Sequence, residues 1–289
     1  MAKFVDLKNR LLSSTFSILL VGLLLYFSMN LYVQFFVYVA IALVAIIGIW
    51  EYLEMLKTKE IFLPFWLLAT VAGVFILSNY LATLHFSVSV VSSMVVTAAF
   101  FSIFFYHFSK IDGALLSIPN CLFSVFYIVV PLGLMLRILY PESISSVFND
   151  GRIWVAYLII VTKITDVGAY FAGKLWGKSK LAPHLSPKKT LAGALFGFFS
   201  AVMVSCLFVF LSDVTPPNLF HINLLQAIIL GSFIGVFGQL GDLAESLLKR
   251  DAHIKDSNSI PGMGGVLDLL DSLLFTAPIV YLFLRTMPA

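Results

Sequence analysis

Leu191 to Leu211 reads LAGALFGFFSAVMVSCLFVFL, with no Asp, Glu, Lys, Arg or His in it. At 1.5 Å of rise per residue, a helix of this length crosses the roughly 30 Å hydrocarbon core of a bilayer. The run also lacks the strict apolar and polar alternation that a membrane-barrel strand requires, so it is read as a spanning helix. Working outward, similar windows run from Leu12 to Met29, Leu31 to Ile49, Ile61 to Leu77, Val88 to Phe105, Ile118 to Leu139, Ile153 to Leu175, Leu224 to Ala244 and Val266 to Leu284. With the first stretch they make about nine, a count that fits the composition. Hydrophobic residues are 60% of the chain, charged residues 11%, and the mean hydropathy is +1.01, values that exclude an ordinary soluble domain. The fold class expected is therefore an all-α polytopic membrane protein. The window after Lys3, Lys8 and Arg10 is read as a membrane helix and not a signal peptide, because a second span follows without a small-residue cleavage pattern. Cys121 and Cys206 lie inside apolar windows and read as packing residues.

Charge sorts the connecting segments. If the helices alternate direction from a cytoplasmic N-terminus, then of the 18 Lys and Arg only Arg137, Arg152 and Arg285 fall on the outer side, with Lys163 inside a helix. The positive-inside rule then places the N-terminus in the cytoplasm and the C-terminus outside. The richest inner segments, Lys174 to Thr190 and Lys249 to Gly265, also hold the unusual residues. Attraction to anionic lipid head groups explains such lysines in part. Basic residues scattered among membrane loops argue against nucleic acid as a partner.

Ionisable side chains at membrane depth are functional hypotheses by default. Lys163 and Asp166 share a face of one helix, where mutual neutralisation is the competing explanation. Asp242, Glu245 and Lys249 form a polar stripe, and Asp268 and Asp271 share a face at the start of the last window. Paired carboxylates without matching cations suit a divalent cation, and oxygen ligands favour magnesium or manganese over zinc; Asp242 is the natural third ligand. Between them, Pro261-Gly262-Met263-Gly264-Gly265 leads into a helix, so its backbone N–H groups suit an anion. Ser186-Pro187-Lys188-Lys189-Thr190, before another helix, suits a second phosphate or a simple membrane anchor. His184 and His253 read as loop residues.

Read together, these runs resemble the bacterial phosphatidate cytidylyltransferases. The matching runs are Asp166-x-Gly168-Ala169-Tyr170, Ser186 to Thr190, Gly238-Gln239-Leu240-Gly241-Asp242, Ser246-x-x-Lys249-Arg250 with Lys255-Asp256-Ser257, and Pro261 to Ser272. Where that signature usually carries His, Arg and Glu, this chain has Met263, Leu269 and Ala192, and His253 and Asn258 stand at common glycines.

The resemblance implies a nine-span enzyme of the bacterial inner membrane, homodimeric, with its site on the cytoplasmic side. CTP and phosphatidate would be the substrates, and magnesium, with a second metal ion as an option, the cofactor. Asp242, Asp268 and Asp271 would hold the metal, while Lys249, Arg250, Gly262, Gly264 and Gly265 would hold the leaving pyrophosphate. Lys188 and Lys189, flanked by Ser186 and Thr190, would take the lipid phosphate, with Asp166, Lys255 and Asp256 completing the substrate contacts. Residues 1–150 would be the dimer- and lipid-facing scaffold and 151–289 the catalytic region. A CTP-dependent lipid kinase, a transporter, and a binding protein without turnover are the alternatives that the residues leave open.

Overall fold

The computed structural model describes residues 19–85, 88–141, 150–254 and 265–286. Residues 19–27 are helical, followed by α1 (Leu31–Lys57), α2 (Phe65–His85), α3 (Val88–His107), α4 (Ala114–Ser124), a π-helical turn (Val125–Val129) and α5 (Val130–Leu139). Then come α6 (Arg152–Trp176), a two-stranded antiparallel hairpin of β1 (Lys180–Ala182) and β2 (Ser186–Thr190), α7 (Leu191–Val214), α8 (Leu224–Asp251) and α9 (Val266–Thr286).

Seven helical spans are long and apolar enough to cross a membrane by length and composition, and Phe65–Leu81 is a shorter apolar helix. The chain is a helical, polytopic membrane protein. The window beginning at Leu12 lies partly outside the described residues. The small hairpin was not anticipated: the basic segment after α6 was read as loop, but Lys180 pairs with Thr190 and Ala182 with Ser186.

The chain divides into two compact units, Met1–Val130 with Ala252–Leu269, and Pro131–Asp251 with Leu270–Ala289. In the first, Asn30 caps α1 by accepting from the N–H of Tyr32 at 3.0 Å. The helix then packs Ala45, Ile49 and Leu53 against α2, whose Leu68, Ala72 and Ile76 are buried. Tyr52 donates to Asn120 Oδ1 at 2.7 Å, so that α1 and α4 share a polar tie inside an apolar unit.

In the second unit, α7 has two unlike faces. Leu195, Phe199, Met203 and Leu207, one turn apart, are exposed as lipid-facing residues would be. Gly193, Gly197, Ala201 and Ser205 are buried on the other side. Small residues at this spacing let membrane helices approach backbone to backbone, where dispersion and hydrogen bonds replace the missing hydrophobic drive. A Cβ at Gly197 would lie 2.8 Å from the carbonyl oxygen of Thr165 on α6, and one at Gly231 of α8 would lie 2.6 Å from Ser205 Cβ. Ser205 joins three helices, accepting from Tyr157 of α6 at 2.6 Å and donating to the Ala227 carbonyl of α8 at 2.6 Å. Gly197→Val is expected to cost about 1–3 kcal/mol, because the added carbons must push α6 away. Thermal unfolding in detergent should show the corresponding fall in midpoint.

Candidate functional site

The second unit builds a cavity with charged side chains in its wall around the hairpin. Thr190 ends β2 and caps α7, its hydroxyl accepting from the N–H of Gly193 at 3.1 Å. Gly173 and Gly177 leave room for that threonine: a Cβ at Gly177 would meet Thr190 Cγ2 at 2.6 Å. The strand is thus pressed against the end of α6, and Lys188 and Lys189 are carried to the mouth of the space between α6 and α8. At the far side of the hairpin, Arg250 Nε donates to the Leu185 carbonyl at 3.2 Å and ties the end of α8 to the turn.

The cavity holds about 320 Å³ and is lined by Asp166, Tyr170, Lys174, Lys188, Lys189, Thr190, Gln239 and Asp242, among others. That volume is at the lower end of the range for small-molecule sites, roughly 300–1,000 Å³. Lys189 Nζ lies 2.6 Å from Asp242 Oδ2. An ammonium has three N–H donors and one carboxylate oxygen does not use them all, so this buried group keeps donors for a further acceptor. A buried cation with unused donors, facing a cavity, is suited to an anionic oxygen ligand such as phosphate.

Each residue of Gly238-Gln239-Leu240-Gly241-Asp242 that meets a neighbour does so for a visible reason. Gln239 donates to the Ala194 carbonyl at 3.1 Å and so fixes α8 to the first turns of α7. Gly241 is the point of closest approach to α9: a Cβ there would lie 2.4 Å from the Asp271 carbonyl oxygen. Removing that side chain is what lets Asp242 and Asp271 sit on adjoining helices at one level. Asp271 is buried, and its Oδ1 accepts from the Ser272 N–H at 2.6 Å and from the Ser272 hydroxyl at 3.1 Å. Lys163 and Asp166 stand 3.6 Å apart on α6, one turn removed from each other.

Asp166, Asp242 and Asp271 are within electrostatic range of one another and of Lys163, and Asp166 also of Lys189. Lys174 and Lys188 line the same cavity, so the carboxylates are matched by lysines, as charge among apolar helices requires. All the donors are oxygens, which is the chemistry that a hard cation such as magnesium takes. Among the described residues, no three His, Cys, Asp or Glu side chains converge at metal-ligand spacing. The carboxylates match magnesium in donor type alone, and Asp242 is engaged with Lys189.

Other expected site residues have different neighbours. Lys249 Nζ lies 2.6 Å from Oε2 of Glu245, which is 1% exposed, so the polar stripe on α8 includes an internal ion pair. Asp268 belongs to the first unit, where its Oδ2 accepts from the Gly265 N–H at 2.7 Å. Ser186 opens β2. Lys255, Asp256, Gly262 and Gly264 lie outside the described residues.

Sequence reasoning passed over Glu51, which is fully buried in α1 and accepts from the N–H groups of Val266 and Leu267. The signal was present, since it is a carboxylate in an apolar helix, but the window closed at Ile49 and the helix continues to Lys57. Gln239 and Lys174 were likewise not singled out, although both line the cavity.

Residues 8–287 match the sequence profile of the cytidylyltransferase family. The chain belongs to that family. A phosphatidate cytidylyltransferase of Chlamydia pneumoniae is 41% identical over 174 residues, 60% of this chain and 56% of that protein. A phosphatidate cytidylyltransferase of Bacillus subtilis is 40% identical over 146 residues, 50% of this chain and 52% of that protein. A Synechocystis relative with the same name is 31% identical over 290 residues, covering 91% and 93% respectively. This member of the cytidylyltransferase family therefore spans little more than half the length of the first two relatives and nearly all of the third.

Proposed function

We propose that this protein transfers a cytidylyl group from CTP to phosphatidate, giving CDP-diacylglycerol and pyrophosphate. The observation that carries the reading is Lys189, a buried ammonium with unused donors beside Asp242 in a cavity lined by Lys188, Thr190 and Asp166. The names borne by the relatives supply the substrate class.

The nucleophile is a phosphate monoester, anionic near neutral pH, so no general base is required to make it reactive. Its oxygen forms a bond to the α phosphorus of CTP while the bond from that phosphorus to the bridging oxygen of pyrophosphate breaks. Such transfers depend mainly on positioning and on neutralising charge. Lys188 and Lys189 meet the lipid phosphate and hold it against repulsion from the triphosphate. Lys249 and Arg250, with Gly262, Gly264 and Gly265, are assigned to the leaving pyrophosphate, and Lys255 and Asp256 to the nucleotide. Magnesium, when bound by Asp242, Asp271 and Asp268, would supply positive charge for the phosphates.

The positive-inside sorting supports a cytoplasmic site in a bacterial inner membrane, an N-terminus inside and a C-terminus outside, with nine spans. Residues 1–150 are assigned the scaffold and homodimer role and residues 151–289 the chemistry.

The test uses the full chain in lipid nanodiscs with phosphatidate, magnesium and CTP labelled at the α phosphate. Label should move into a lipid that co-migrates with CDP-diacylglycerol. Label entering lipid only from the γ phosphate of CTP would overturn the reading in favour of a lipid kinase. No label from either position, in folded protein, would overturn it in favour of binding or transport.

A further inference from the structure

Glu51 has no part in the chemistry assigned above, yet it is a fully buried carboxylate in a membrane-spanning helix. Such a group is costly unless it is hydrogen-bonded. Its two oxygens work separately. Oε1 accepts from the N–H of Val266 at 2.8 Å, and Oε2 accepts from the N–H of Leu267 at 2.9 Å. These are the first two residues of α9, whose first-turn N–H groups have no acceptor within the helix. The partial positive charge at a helix N-terminus favours a carboxylate there.

A third donor, the N–H of Gly265, goes to Asp268 Oδ2 at 2.7 Å. Two carboxylates therefore share one helix end. The fit extends a turn along α1, where a Cβ at Gly48 would lie 3.3 Å from the Leu267 side chain and 3.2 Å from that of Ile128. Gly48 and Glu51 are three residues apart and face the same partner.

We propose that Glu51 is a positioning residue for the reaction: it clamps the start of α9 and thereby fixes the placement of Asp268. The inference rests on the cytidylyl-transfer reading, which gives Asp268 its task. Without Glu51, the N–H groups of Val266 and Leu267 turn to Asp268, whose carboxylate is already at that helix end. Asp268 is then drawn into capping and away from the reaction.

Glu51→Gln and Glu51→Asp, each in the full chain in nanodiscs, test this. For Glu51→Gln, kcat per folded molecule should fall about ten- to a hundredfold, the range seen when a residue orienting a catalytic ligand is lost. The KM for phosphatidate, assigned to Lys188 and Lys189, should not move. Hydrogen exchange at Val266 and Leu267 should accelerate. Glu51→Asp, which keeps the charge on a shorter arm, should recover part of the rate, and it carries the same test if the glutamine variant fails to accumulate. A merely structural role would reduce the amount of folded protein and leave its kcat alone. Unchanged kcat per folded molecule, or unchanged exchange at the two amides, overturns the proposal. If the unaltered protein moves no label from CTP, the functional reading fails, whereas the exchange measurement still reports on the clamp.

Discussion

Asp242→Asn combined with Lys189→Met should leave the protein as stable as the unaltered chain and abolish cytidylyl transfer, whereas Asp242→Asn alone should lose both. The two side chains neutralise each other across 2.6 Å. Removing one partner of a fully buried pair costs about 3–5 kcal/mol, because the other charge is left uncompensated. Here the side chains are 23% and 34% exposed and line a cavity, so screening reduces that figure to about 1–3 kcal/mol. Replacing both charges removes the uncompensated ammonium as well, and stability should return. Activity should not. Asp242 is assigned to the cation and Lys189 to the lipid phosphate, and losing a single preorganised charge-stabilising group already costs about a hundred- to a thousandfold. Unfolding midpoints and label transfer, measured on both variants, make the comparison. Near-normal transfer by the double variant would remove these two residues from the chemistry.

Gly241→Ala should lower both stability and turnover, although it adds a single methyl group. The added Cβ would lie 2.4 Å from the Asp271 carbonyl oxygen, 3.1 Å from its carbonyl carbon and 3.1 Å from Ser272 Cα. All three are backbone atoms, so no side chain can turn aside, and α8 and α9 must separate. Overpacking of this kind costs about 1–3 kcal/mol. It also moves Asp242 relative to Asp271, and a displacement on the order of 1 Å at a reacting centre can cost about a hundredfold in rate. A lowered midpoint together with a lowered kcat is the expected result. An Ala variant with unaltered kcat would mean that the level of Asp271 beside Asp242 is immaterial.

Much of this molecule can be read without coordinates. Helical spans follow from composition and length, because a bilayer leaves few other ways to satisfy a backbone. Asp242 and Asp271 could be picked out because charge at membrane depth is rare, and Lys189 because it stands in a basic run just before a helix. What could not be read was their mutual use. That Lys189 engages Asp242, or that Gly241 exists for the backbone of Asp271, depends on which helices adjoin, and local periodicity carries no such information. The hairpin escaped notice because its residues are those of a basic loop, and nothing in their order announces that Lys180 pairs with Thr190. Asp268, which reads as a metal ligand in the sequence, accepts the Gly265 N–H at the helix end.

The clamp at Glu51 also bears on how the chain is made. Its two amide partners lie 215 and 216 residues further along, in the last helix. At translation rates of about 5–20 residues per second, the carboxylate waits roughly 10–40 s for them to leave the ribosome. During that interval the first unit is without Val266 to Leu269, which belong to it. A chain stopped before Val266 would never supply those two amides, so quality-control proteases of the membrane would meet an incomplete first unit and not a stable half-protein.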